Sequence, residues 1–294
     1  MHQGTSNHPI LSLSNPELIL PKGTIHTGLP IGDYQTIHGL RTYIIGNPST
    51  SRATIVLYTD IFGHLLPNNL LLADAFAASG EYLVYVPDFF EGDPVALKVA
   101  DLLIPVDASK QGTLGKYTGI LASAPSFLMW MGRHKEARCS AVCNGFLEKL
   151  RMETNGERKI GMVGYCWGGR YAIRAGLESN MILIDRVKKP LIDAVVALHP
   201  SNLVFPRDVE GLVVPISYGW GEKDVAVSIK SKGIIEEIHQ KEGEKGRKVP
   251  EMEHRVYKPG RHGFAVRGNP DDPLERACLE DSMKQGLEWM GKWL

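Results

Sequence analysis

One stretch constrains the fold of this chain more than any other: KIGMVGYCWGGRYAIRAG, Lys159 to Gly176. Its hydrophobic pattern is a short buried strand, a tight glycine turn and a helix, with Cys166 on the turn. Glycines two before and two after the cysteine, Gly164 and Gly168, let strand and helix approach without Cβ clashes. Such a turn holds its side chain up at the carboxyl edge of a sheet and aims the helix N-terminus at it. The partial positive charge there lowers a thiol's pKa and stabilises an oxyanion on the next N–H, that of Trp167. The plainer alternative is a small buried apolar cysteine, as most free cysteines are.

The rest of the chain repeats this strand-and-helix unit. Apolar runs bounded by turn residues read as strands at RATIVLYTD, EYLVYVPD, RKIGMVGYC, IDAVVALHP, LVVPISYGWG and MEHRVYKPG. Helix-period stretches lie between them at NNLLLADAFAAS, GRHKEARCSAVCNGFLEKLRME, WGGRYAIRAGLES and VSIKSKGIIEEIHQKEG, with PLERACLEDSMKQGLEWMGKWL at the end. Alternation of this kind implies an α/β fold, a mostly parallel sheet with helices on both faces. A polar, proline-punctuated arm over 1–22 is expected to be irregular, and 23–294 to form a single domain. The least patterned region, FEGDPVALKVADLLIPVDASKQGTLGKYTG, follows a strand end, where an α/β sheet places its ligand crevice. It reads either as a lid or pocket wall or as a surface excursion with one short helix.

Charge excludes several function classes. Lys and Arg total 33 against 33 Asp and Glu, and no basic run with interleaved aromatics appears, so neither a nucleic acid nor a membrane is an expected partner. The expected ligand is a small molecule, and a homodimer stays open. The four cysteines are too few for a disulfide framework in 294 residues, and the N-terminus lacks the pattern of a signal peptide. A reducing, cytoplasmic compartment is expected, with no membrane span. No G-x-G-x-x-G opens a helix after a strand, which disfavours a dinucleotide-dependent oxidoreductase, so no cofactor is expected. Cys139 and Cys143 fall i, i+4 on a helix and resemble half of a metal site, but no second ligand pair is spaced to complete it; no metal is expected.

A nucleophile on such a turn calls for an acid and then a histidine later in the chain, each just past a strand. VVPISYGWGEKDVAV carries Asp224 on the turn after its strand, and HRVYKPGRHGFAVRG carries His262 in the loop after its own. The order Cys166, Asp224, His262 matches the α/β-hydrolase arrangement. Glu222 shares the turn with Asp224 and is its main rival, although a solvated loop carboxylate is the simpler role. Asp193 begins a strand and so lies at the wrong sheet edge. His199 ends a strand at the correct edge and is a candidate pocket residue. His254, inside a strand, and His239, on a helix, read as surface residues.

Five motifs in order, GYCWGGR, IFG, PDFF, GEKD and RHGFAVRG, together with HTGLPIGDY, resemble the dienelactone hydrolase family in its fungal form, from GTIHTGLPIG to the C-terminus. The resemblance implies an α/β-hydrolase fold and a triad of Cys166, His262 and Asp224. It implies an oxyanion hole from the backbone N–H groups of Trp167 and Ile61. It also implies a second acid beside the thiol, where the bacterial pattern has a glutamate and this chain has Asp60, one methylene shorter; a turn or capping aspartate is the alternative. Bacterial members hold a substrate carboxylate with two arginines. Here the first place reads FFEGDP without arginine, and the second is Val266 with Arg267 displaced by one, so Arg267 either serves or only pairs at the surface. Phe62, His199, Phe264 and Arg267 are the candidate substrate-binding residues.

Thiol chemistry narrows the substrate further. A thiolate leaves a tetrahedral intermediate more readily than an ordinary alkoxide, so alkyl esters and amides should turn over poorly. Enol lactones, aryl esters and thioesters, whose leaving groups are stabilised anions, should react well. The expected course is attack by Cys166, with Asp224 orienting His262, to an acyl-enzyme that water hydrolyses. Phe62, Phe89, Phe90, Trp167, Trp220 and Phe264 suit a conjugated or aromatic substrate, though core packing explains Phe89 and Trp220 equally well. Two other functions remain as alternatives: a non-catalytic ligand-binding protein on a hydrolase scaffold, and a thioesterase or C–C hydrolase of a biosynthetic pathway.

Overall fold

The computed structural model describes residues 28–99, 124–269 and 271–294. The arm expected over 1–22 and most of the poorly patterned segment after Phe90 lie outside the described residues. Each expected strand appears: β3 (Ala53–Tyr58), β4 (Tyr82–Pro87), β5 (Ile160–Tyr165), β8 (Ala194–Leu198), β9 (Ile216–Gly221) and β10 (Met252–Tyr257). All six run parallel in one sheet. β3, β5 and β8 are buried along their whole length, which is why they read as unbroken apolar runs rather than as alternating ones.

Four strands escape that apolar signal. β1 (Asp33–Ile37) and β2 (Leu40–Ile45) form an antiparallel hairpin that extends the sheet next to β4. Its two-residue loop, His38-Gly39, has positive φ at both positions, 53° and 93°, the backbone of a type I′ turn. β6 (Ile182–Ile184) and β7 (Val187–Lys189) make a separate small hairpin. The main sheet therefore has eight strands in the order β1-β2-β4-β3-β5-β8-β9-β10.

Helices cover both faces. α1 (Pro67–Ala77) crosses from β3 to β4, with proline at its first turn where the missing N–H costs nothing. α6 (Pro273–Trp293) packs on the same face, since a Cβ at Gly286 would press on the Phe76 ring and one at Gly161 on Met290. Its start is set by Asp272, whose carboxylate accepts the N–H groups of Leu274 and Glu275. The opposite face carries α2 (Glu136–Glu153) and α3 (Trp167–Ala175), and α4 (Lys230–Glu244) joins β9 to β10. A short helix, α5 (Phe264–Arg267), precedes α6.

The single helix expected over 132–153 is broken. Residues 124–133 are helical, and α2 begins only at Glu136, after Lys135 turns to ψ 147°. His134 ends the first run by turning its ring back onto it: its N–H and Nδ1 both meet the Trp130 carbonyl oxygen at 3.0 Å, and its ring stacks on the indole.

Chain direction places the site. From β3 the chain winds to β4 on one side, then crosses back to β5 on the other, so the loops after β3 and β5 part at their carboxyl ends. An α/β sheet opens its crevice at such a switch.

Candidate active site

Tyr165 closes β5 and Trp167 opens α3, leaving Cys166 alone on the corner with φ 50° and ψ −115°. A non-glycine residue rarely adopts that backbone, and such strain persists only where the surroundings enforce it. The surroundings are glycine-dependent. A Cβ on Gly164 would stand 2.5 Å from the Gly168 carbonyl oxygen, and one on Gly168 would stand 2.5 Å from that of Thr59. The turn is as tight as the sequence implies.

The three candidate polar residues converge on this corner. His262 Nε2 lies 3.1 Å from Cys166 Sγ, and its Nδ1 lies 2.9 Å from Asp224 Oδ2 and 3.1 Å from Oδ1. Asp224 is locked in turn, since its Oδ1 accepts the N–H groups of Ala226 and Val227 at 2.9 Å. Burial would raise the Asp224 carboxyl, but the His262 hydrogen bond and charge outweigh it and hold the group below its ordinary value. For His262, burial works against the imidazolium; the negative sulfur and Asp224 overcome it and raise the ring to about 10. Nε2 thus stands within hydrogen-bond reach of the sulfur and is placed to take its proton.

The Ile61 and Trp167 N–H groups donate to no acceptor among the described residues. Both follow carboxyl ends of adjacent strands, β3 and β5, which leaves two donors for a carbonyl oxygen at the sulfur. Asp60, in contrast, is held by its own loop and by α1. Its Oδ1 accepts the Phe62 N–H at 3.0 Å and Asn69 Nδ2 at 2.9 Å, and no hydrogen bond joins it to Sγ. Burial pushes its carboxyl up to about 6, against the opposing pulls of Asn69, the Phe62 N–H, Arg267 and His262.

The candidate substrate-binding residues are all buried. His199 sits behind the elbow rather than on an open wall: its Nδ1 lies 3.1 Å from the Cys166 nitrogen and accepts that N–H. Burial, with the nearby His262 charge, lowers its ring to about 3, so it is neutral. Phe264 packs edge-on against His199 at 5.2 Å and backs the His262 loop. Arg267 lies near enough to Asp60 to pull its pKa down. Among the aromatics, Phe89 stacks on Trp167 at 5.3 Å and Phe90 lies 5.0 Å from it, so both stand beside the residue that follows Cys166. Trp220 belongs to a different group, donating from its indole N–H to His254 Nδ1 and stacking on Tyr218.

Glu222 is exposed and pairs with Lys258 at 3.3 Å. Asp193 binds Arg151 and the Ile160 N–H at the opposite edge of the sheet. Two expectations are corrected. His239 is buried, its Nε2 against the Val209 carbonyl oxygen, because α4 turns that face inward onto the 209–213 segment. His254 is half-buried beneath Trp220. Cys139 and Cys143 are buried on α2, while the one potential metal-ligand group among the described residues is Cys166, His199 and His262, with ligand atoms within 4.8 Å of one another. Sγ, both His262 ring nitrogens and His199 Nδ1 are committed to the hydrogen bonds above, and the remaining atom, His199 Nε2, is too few for a zinc site. Sequence reasoning missed Ser201, whose Oγ lies 3.5 Å from Sγ. Its only signal was its place just beyond the strand end that carries His199.

An eight-stranded, mostly parallel sheet with Cys166 on a tight strand–helix turn and Asp224 and His262 after later strands is the architecture of an α/β-hydrolase. Residues 40–294 match the dienelactone hydrolase family, and the chain belongs to it as a hydrolase. It is 28% identical over 275 residues to the hydrolase pyvD of Aspergillus violaceofuscus, covering 92% of this chain and 94% of that one. It is 26% identical over 294 residues to a dienlactone hydrolase of Gibberella moniliformis, covering 98% and 97%. Among solved structures, the dienelactone hydrolase of Anabaena variabilis shares the fold, with a TM-score of 0.51 at 11% identity, over 90% of this chain and 97% of that one.

Proposed function

We propose that this hydrolase cleaves activated esters and enol lactones of small conjugated or aromatic compounds through an acyl-enzyme on Cys166. The observation that carries the reading is the line of contacts from Asp224 Oδ2 to His262 Nδ1 at 2.9 Å, and from Nε2 to Sγ at 3.1 Å, ending on a strained elbow. In this mechanism the thiol proton passes to Nε2 and the sulfur adds to the carbonyl carbon. The oxygen takes the negative charge between the Ile61 and Trp167 N–H groups. Collapse expels the leaving group, which collects the proton from Nε2, and a water activated by His262 then cleaves the thioester. Asp224 keeps Nδ1 protonated, so that Nε2 faces the sulfur.

A thiolate expelled in competition with the leaving group restricts the enzyme to esters with acidic alcohols or enols. Phe89, Phe90 and Trp167 beside the elbow support a flat, conjugated substrate. All four cysteines are free thiols, which supports a reducing, cytoplasmic setting. No helix among the described residues is long and apolar enough to cross a membrane.

The test is hydrolysis of an aryl ester and an enol lactone by wild type, Cys166→Ser and Cys166→Ala, with intact-mass detection of the adduct. Turnover with an adduct on Cys166, both lost in Cys166→Ala, is expected. Equal turnover by Cys166→Ala would overturn the nucleophile. Binding of small acids or lactones without hydrolysis would support a ligand-binding protein instead.

A further inference from the structure

The segment after β8 clasps the nucleophile at three points. Leu198 O and His199 Nδ1 both accept the Cys166 N–H at 3.1 Å, the Ser201 N–H donates to the Cys166 carbonyl oxygen at 2.9 Å, and Ser201 Oγ lies 3.5 Å from Sγ. Strand pairing brings this about: Tyr165 of β5 stands opposite Leu198 of β8, so Cys166 and residues 199–201 leave the sheet side by side. The clasp is strained, with positive φ at Cys166, His199 and Asn202 of 50°, 39° and 57°. Non-glycine outliers gathered around one reactive atom are a mark of functional constraint.

Ser201 is buried, and among the described residues its hydroxyl has no other hydrogen-bond partner. The groups facing the sulfur come from several elements. His262 arrives from the loop after β10 with Asp224 behind it and neutral His199 from the end of β8; Asp60, from the β3 loop, feels the charges of His262 and of Arg267 on α5. Asp60 forms no hydrogen bond to Sγ and neutral His199 bonds the backbone N–H, so beside His262 the side-chain group at hydrogen-bond distance from the sulfur is the Ser201 hydroxyl.

We propose that the Ser201 hydroxyl donates to the Cys166 thiolate, and so sets how readily the sulfur ionises and how readily it departs from the acyl-enzyme. The proposal rests on Cys166 being the nucleophile. Once the thiol proton has passed to Nε2, the Ser201 O–H points at the sulfur anion. On attack the S–C bond forms and the carbonyl pair moves to oxygen; the C–O bond then breaks, and the leaving oxygen takes the Nε2 proton. In the second half, water gives its proton to Nε2 as its oxygen bonds the thioester carbon. The C–S bond breaks with its pair returning to sulfur, where the Ser201 proton receives it. Ser201 keeps its own proton throughout. Charge-assisted bonds to sulfur strengthen as the charge builds, so the effect is larger on the ionised thiol than on the neutral one.

The experiment compares wild type with Ser201→Ala, Ser201→Gly and Ser201→Thr. Alkylation of Cys166 by iodoacetamide is followed against pH by peptide mass, and the decay of the acyl adduct from an aryl ester by intact mass. Both variants without the hydroxyl should shift the alkylation profile upward by about 1 pH unit, a tenfold weaker thiolate at fixed low pH. Their acyl adduct should persist about tenfold longer, and Ser201→Thr should restore both readouts. A folded Ala or Gly variant with the wild-type profile and decay overturns the proposal while leaving the nucleophile in place. If wild type itself forms no adduct on Cys166, the nucleophile fails and this proposal with it.

Discussion

Asp60 is a carboxyl that burial keeps close to neutrality, and its titration should appear in the stability of the whole chain. A carboxyl raised to about 6 in the folded state binds its proton more tightly folded than unfolded. Its contribution is therefore fully present below pH ~4 and is lost as pH rises through ~6, at a cost of about 3 kcal/mol. Asp60→Asn keeps an oxygen that accepts from Phe62 and Asn69. It is expected to remove that decline, so that urea unfolding at pH 4.5 and 7.5 differs by about 2 kcal/mol less than in wild type, the part of the total that falls inside this window. Asp224→Asn acts on a different property. It preserves shape but holds His262 in the wrong tautomer, and kcat should fall by about 10⁴-fold with KM nearly unchanged in steady-state assays. Asp224 and His262 were legible as single residues just past strands, and the structure brings them together at 2.9 Å. The partners of Asp60 were not legible, because a carboxylate there can bond the thiol or its own loop, and the Asn69 amide that holds its Oδ1 comes from α1.

The elbow is the element on which the site depends, and its glycines are steric requirements. Gly168→Ala would drive a methyl group into the carbonyl oxygens of Tyr58 and Thr59, which belong to the neighbouring strand end and cannot turn aside. We expect a loss of about 2–3 kcal/mol in chemical denaturation, with activity falling further than stability because β5 and α3 must separate at the nucleophile. Behind the elbow, α3 is tied to the 204–208 turn by a buried carboxylate. Asp208 accepts Arg170 Nε at 2.7 Å, Arg174 Nη1 at 2.6 Å and the Val204 N–H at 2.8 Å, and Glu136 of α2 binds the outer face of the same arginines. Asp208→Asn leaves two arginines short of charge in a buried place and should cost about 3–5 kcal/mol of unfolding free energy. At this scale the sequence was read well where a pattern is local. Strand and helix around Cys166 follow from one short window, whereas the break before α2 depends on a His134 ring folding back on Trp130, which no periodicity encodes.

Across the whole molecule, stability is graded along the sheet. β3, β5 and β8 lie at its centre with both faces covered, whereas β1 is exposed along most of its length and the β6–β7 hairpin stands apart from the main sheet. In hydrogen exchange followed by mass spectrometry, amides of β3, β5 and β8 should exchange only through global opening. Those of β1 and β6–β7 should exchange through local opening, faster by orders of magnitude. The site hangs from the slow strands. Loops after β3, β5 and β8 carry Ile61, Cys166 and Ser201, so the reacting corner is anchored to the most rigid part of the fold.

Sequence by itself determined the alternation of strands and helices, hence the parallel sheet, and it determined the tight turn at Cys166 and the order of Cys166, Asp224 and His262 past their strands. Each of these is written in short-range periodicity or in the steric needs of neighbouring residues, which do not depend on the rest of the chain. Tertiary structure alone decided what surrounds the sulfur. Ser201 and His199 reach Cys166 across 35 and 33 residues, and do so because β8 pairs with β5 and with no other strand on that side. Strand order is set by long-range pairing and by the helices that must fit between strands, so contacts at the carboxyl edge come into being only when the sheet closes.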